Sequence, residues 1–150
     1  MRKLMIGTTV LAMALVACGG GGQTNGGGGQ QDAGSGTVTV QAEEYAFTGV
    51  PETLAAGEVT FDLENIGDEQ HEFQLGLLKT DITIEEVLEL SDDELGQHIE
   101  QLGGTFAEPG ASATFETTLE AGRYAYVCFL PSPDGTPHAA LGMYGELTVS

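Results

Sequence analysis

Residues 126–149 read Tyr126-Val127-Cys128-Phe129-Leu130-Pro131-Ser132-Pro133-Asp134-Gly135-Thr136-Pro137-His138-Ala139-Ala140-Leu141-Gly142-Met143-Tyr144-Gly145-Glu146-Leu147-Thr148-Val149. Arg123 to Phe129 is an aromatic strand that ends at Cys128, and Glu146 to Val149 is a closing strand. Between them lie a thiol, an imidazole and a thioether: Cys128, His138 in the following loop, and Met143 leading into the last strand. Consecutive strands tend to be neighbours in space, so the loop returns the chain beside its start. Pro131, Pro133 and Pro137 stiffen that connection.

A fourth donor comes from upstream. Asn65-Ile66-Gly67-Asp68 supplies a turn, after which His71, Phe73 and Leu75 share one face of a strand. His71 therefore belongs to a different hairpin and reaches the loop as a tertiary contact. Two imidazoles and one thiolate with a distant thioether suit copper electron transfer. Zinc prefers a second thiolate or a carboxylate in place of methionine. Taken singly, Met143 reads as core filler, Cys128 as a buried small hydrophobe and His71 as a strand-end histidine. Their order is what points to metal: strand and His71, then strand, Cys128, loop, His138, Met143, strand. His98, beside Gln97 and Glu100, has no soft ligand in local register and reads as a solvated helix residue.

Strand patterning extends over the rest of residues 38–150. Val38-Thr39-Val40 alternates, and Tyr45-Ala46-Phe47 resumes after Glu43-Glu44. Val59, Phe61 and Leu63 face one way while Glu58, Thr60, Asp62 and Glu64 face the other. Ala111 to Leu119 alternates again before the Ala121-Gly122 turn. Thr83-x-x-Glu86 and Ser91-x-x-Glu94 fit capping boxes, so residues 82–102 are expected as a short helical insertion. Its buried stripe would be Val87, Leu88, Leu95, Ile99 and Leu102, with Gly103-Gly104 as the stop. The expected fold is all-β, a sandwich or barrel of some seven short strands with that one insertion.

Tyr126-Val127-Cys128, the loop to His138 and the run from Ala139 to Val149 resemble the C-terminal copper loop of cupredoxins such as plastocyanin. Asn65-x-Gly67-x-x-x-His71-x-Phe73 resembles that family's upstream ligand motif. The resemblance spans essentially all of residues 38–150 and implies a Greek-key sandwich holding one mononuclear type 1 copper ion. It implies His71, Cys128 and His138 as strong ligands and Met143 as the axial one. It also implies that the His138 edge protrudes through a small apolar patch formed by Pro131, Pro133, Pro137, Ala139, Ala140 and Leu141. The chain departs from small cupredoxins in two places. Nine residues separate Cys128 from His138, a longer loop resembling that of copper nitrite reductases and related domains, and Glu72 stands where plastocyanin-like sequences often have Asn.

The first residues read as an address. Arg2 and Lys3 precede an apolar run from Leu4 to Ala17, shorter than the about 20 residues of a membrane span. Leu15-Val16-Ala17-Cys18 resembles the lipobox of bacterial lipoproteins, which implies a signal peptide over residues 1–17 and lipidation of Cys18. Residues 18–37, with Gly19 to Gly22 and Gly26 to Gly29, are expected as a flexible tether. Acylation of Cys18 would leave Cys128 as the single free thiol, with no intramolecular disulfide.

Without Arg2 and Lys3 the chain keeps only Lys79 and Arg123 against 23 acidic residues, a net charge of −21. Repulsion excludes nucleic acid and anionic lipid surfaces as direct partners, and permits a partner with a cationic docking face. The leading functional expectation is a monomeric, membrane-tethered electron carrier on the periplasmic or extracellular side. The alternatives are a module for copper holding, delivery or sensing, and a metal-free binding module on the same fold. Enzymatic activity is not expected, because His98 is the sole histidine left over for a second metal or a catalytic set.

Overall fold

In a computed structural model, which describes residues 36–150, the alternating segments form two facing sheets. In chain order the strands are β1 (Gly36–Glu43), β2 (Ala46–Thr48), β3 (Thr53–Leu54), β4 (Gly57–Asn65) and β5 (His71–Leu78). Two short helices follow, α1 (Ile84–Leu88) and α2 (Asp92–His98). Then come β6 (Ile99–Ala107), β7 (Ser112–Leu119), β8 (Gly122–Val127) and β9 (Tyr144–Val149). One sheet has the order β2-β1-β4-β7 and the other β3-β9-β8-β5-β6. β1 runs parallel to β4, and β3 parallel to β9; the remaining pairs are antiparallel. The expected signal peptide and lipidated Cys18 lie outside the described residues. So does the expected tether, except that β1 takes in Gly36 and Thr37.

Period-two patterning fixes which face of each strand is buried. Val59, Phe61 and Leu63 of β4 meet Phe73 and Leu75 of β5 and Leu147 and Val149 of β9 in one core between the sheets. Each fully buried Leu or Phe side chain contributes about 1.5–3 kcal/mol. Tyr124 is a buried member of this core. Its hydroxyl donates to the Glu120 carbonyl at 2.8 Å and accepts from the Glu120 N–H at 3.1 Å, so the buried phenol leaves no polar atom unsatisfied.

Both expected capping boxes form. The Glu86 carboxylate accepts from the Thr83 N–H at 3.0 Å, and the Glu94 carboxylate from the Ser91 N–H at 3.1 Å. The helices cover the outer face of the β8-β5-β6 sheet, where Ile84 and Val87 pack with Leu78 and Ala125. The insertion is shorter than the sequence pattern suggests. Helix ends at His98, and Ile99, Leu102, Gly103 and Gly104 belong to β6, the strand that pairs with β5. The two glycines answer close approach, not helix termination. A Cβ on Gly104 would lie 2.1 Å from the Phe73 carbonyl oxygen, and Gly103 sits at φ +120° against Phe115. Neither Gly pair nor apolar spacing distinguishes these demands locally.

Candidate metal centre

Three strands end at one pole of the sandwich, and each delivers a donor. His71 opens β5, opposite Ala107 at the end of β6. Cys128 directly follows β8, and Met143 directly precedes β9, the strand paired with it. His138 opens a 3-10 turn over His138–Leu141 that stops at Gly142, whose φ of +104° suits glycine.

Main-chain bonds knit this loop into a frame. The Cys128 N–H donates to the Met143 carbonyl at 3.0 Å, the Met143 N–H to the His138 carbonyl at 3.0 Å, and the Ala139 N–H to the Cys128 carbonyl at 2.8 Å. The long Cys128-to-His138 connection is itself folded. Pro131 and Pro137 pair as a β-bridge, and the Ser132 N–H donates to the Thr136 carbonyl at 2.9 Å. Asp134 Oδ1 accepts from the Ser132 hydroxyl at 2.7 Å and from the Thr136 N–H at 2.9 Å. These bonds hold its carboxyl down at about 2, the Ser132 hydroxyl being the largest cause. The nine-residue loop is thus tied across itself before it reaches His138.

The ligand atoms of His71, Cys128 and His138 lie within 4.8 Å of one another, and all three residues are buried. His71 Nδ1 faces His138 Nδ1 at 3.2 Å, and Cys128 Sγ lies 3.4 Å from His138 Nδ1. Met143 is fully buried in the same core cluster as Cys128. Burial pushes the Cys128 thiol up, partly offset by the Glu72 and Leu130 N–H groups. Burial, and then His138, push His71 down. Both shifts favour neutral groups at this buried site, and a bound cation would reverse the preference at sulfur. His71 Nε2 is buried without a hydrogen-bond partner. Two imidazoles, one thiol and a neighbouring thioether fit copper better than zinc.

The surroundings supply features that the sequence did not reveal. Glu72 Oε1 accepts from the Phe129 N–H at 2.9 Å, and the Glu72 N–H points at Cys128 Sγ at 3.4 Å. Glu72 thus links β5 to the Cys128 loop. Asn65 Nδ2 donates to the Glu69 and Ala107 carbonyls at 2.7 and 2.8 Å, fixing the turn before His71. Within that turn Glu69 Oε2 meets His138 Nε2 at 2.9 Å. Tyr45 lies edge-on to the same ring, with centroids 5.0 Å apart.

This overturns one expectation. His138 does not protrude, because Glu69 and Tyr45 close over it and leave it fully buried. Of the surrounding patch, Ala139 is buried, while Pro131, Pro133, Pro137, Ala140 and Leu141 are exposed. Glu44, Tyr45 and Glu69 had no legible signal, since acidic residues abound along the chain. His98 stays apart as expected from its neighbours, with Nδ1 on the Thr80 hydroxyl at 2.9 Å.

No known family signature and no curated protein matches the chain. Solved structures do. Reduced auracyanin from Roseiflexus castenholzii is 22% identical with a TM-score of 0.54, over 76% of this chain and 96% of that one. Auracyanin B is 25% identical at a TM-score of 0.53, over 76% and 88%. Auracyanin A, described as a "blue" copper protein from Chloroflexus aurantiacus, is 22% identical at 0.55, over 78% and 100%. The fold common to all of them is the cupredoxin fold.

Proposed function

We propose that this cupredoxin-fold chain is a membrane-tethered, extracytoplasmic electron carrier with one type 1 copper site formed by His71, Cys128, His138 and Met143. The convergence of three buried donors, His71, Cys128 and His138, carries the reading. The likeness to auracyanin A, a "blue" copper protein, supports it. A copper ion held there supplies one-electron exchange between two oxidation states. The chain's own contribution is the frame. His71 and Cys128 sit at strand ends, the Cys128–Met143 and Met143–His138 main-chain bonds fix the loop, and Glu72 ties it to β5. A rigid frame keeps nuclear rearrangement small when charge changes, which suits a carrier. Full burial of all three donors also argues against a module that hands its metal on readily.

The tether and location rest on Leu15 to Cys18 and the glycine-rich stretch after them. A redox protein with a cationic face is the proposed partner, given the two bases against 23 acids beyond residue 17. Loading with one equivalent of Cu(II) tests the centre. An intense visible charge-transfer band, absent in Cys128→Ser, is expected; a colourless protein that does not retain copper would sink the carrier reading.

A further inference from the structure

Both imidazoles of the centre have a carboxylate behind them. His138 Nε2 meets Glu69 Oε2 at 2.9 Å, and His71 Nε2 faces Glu44 Oε1 at 3.6 Å. A carboxylate accepts and does not donate, so the His138 nitrogen beside Glu69 is the one that carries hydrogen. In a neutral ring that leaves the lone pair on Nδ1, the atom facing His71 and Cys128. Glu69 thereby selects the ring form in which His138 is ready to bind metal.

The carboxylates are themselves held in place. The Tyr45 hydroxyl donates to Glu69 Oε1 at 3.2 Å. Tyr45 sits at φ +64°, a left-handed conformation that a bulky residue rarely adopts. Glu44 Oε1 accepts from the Asp68 and Glu69 N–H groups at 2.6 and 2.8 Å, so one carboxylate anchors the turn that carries the other. Their side chains are only 22% and 35% exposed, so water screens these charges incompletely.

We propose that Glu69 is a positioning residue that sets the tautomer of His138 and, with Glu44, biases the centre toward its more highly charged oxidation state. This deepens the copper reading and rests on it for the redox half. Negative charge behind both rings makes the imidazoles better donors and favours Cu(II) over Cu(I).

Two variants separate charge from hydrogen bonding. Glu69→Gln keeps an acceptor oxygen for Nε2–H while removing the charge. The expected result is an unchanged visible band with a roughly tenfold lower ratio of Cu(II) to Cu(I) affinity, about 59 mV higher in midpoint potential. Glu69→Leu removes the acceptor as well, and should lower Cu(II) affinity by about 10- to 100-fold. The tautomer is read without copper, from the nitrogen-15 shifts of His138 in the metal-free protein. Wild type and Glu69→Gln should show the Nε2–H form, and Glu69→Leu a mixture. An unchanged potential in Glu69→Gln overturns the charge bias, and a wild-type His138 carrying hydrogen on Nδ1 overturns the positioning role. Wild type that shows the expected tautomer but no thiolate band leaves the positioning role standing and brings down the copper reading with its redox bias.

Discussion

His71 Nδ1 and His138 Nδ1 lie 3.2 Å apart, although they are 67 positions apart in the chain. Two ring nitrogens that close need a proton or a cation between them, because facing lone pairs repel. A metal that binds there only in the folded state stabilises it by an amount that grows with the logarithm of its free concentration over Kd. With free Cu(II) at 100 times its Kd, unfolding should cost about 2.7 kcal/mol more. Calorimetry of wild type and Cys128→Ser checks this. An equal gain in both would place the binding on the acidic surface, away from the thiol.

Glu72 joins the two sides of the centre through its contacts to Phe129 and Cys128. Glu72→Ala should weaken copper retention by about 10- to 100-fold and shift the visible band. Glu72→Gln, which keeps an acceptor for the Phe129 N–H, should restore most of both. Equilibrium dialysis and the spectrum decide it, and equal behaviour of the two variants would count against the link.

Asp134 folds the long loop, and its carboxyl is held at about 2 instead of its ordinary 3.8. A depressed carboxyl contributes stability that is fully present above the unfolded value and lost as pH falls through the folded one. The difference in unfolding midpoint between wild type and Asp134→Ala should therefore be constant above about pH 5 and vanish toward pH 1. Denaturant titrations of the metal-free protein across that range measure it. A gap that persists at the acid end would assign the effect to packing.

Leu141 is 42% exposed beside the buried His138 and belongs to the small apolar patch around it. Leu141→Lys should slow electron exchange with a cationic redox protein while leaving the copper spectrum intact. Stopped-flow mixing reads the rate. If rate and spectrum change together, Leu141 supports the loop and is not a contact.

The helical insertion shows how far local pattern reaches. Thr83-x-x-Glu86 and Ser91-x-x-Glu94 mark helix starts because a cap is a contact three residues long, and both boxes form. The helical spacing runs past the true end of the insertion, since Gly104 answers to the carbonyl of Phe73 on a neighbouring strand, which no local pattern reveals.

The alternating strands and the order of His71, Cys128, His138 and Met143 can be read from the residues alone, because strand faces and loop order depend on near neighbours. The convergence of His71, Cys128 and His138 follows from strand order and donor type together with the family resemblance, and the structure places their ligand atoms within 4.8 Å of one another. What stands behind the rings depends on the packing of distant segments. Nothing in the sequence sets Glu44 and Glu69 apart from the other glutamates, and Glu72 is marked only by its place after His71. Their hydrogen bonds to the Asp68–Glu69 turn, His138 and the Phe129 N–H arise where strand ends from two sheets and three loops meet, and that meeting is a property of the packed fold.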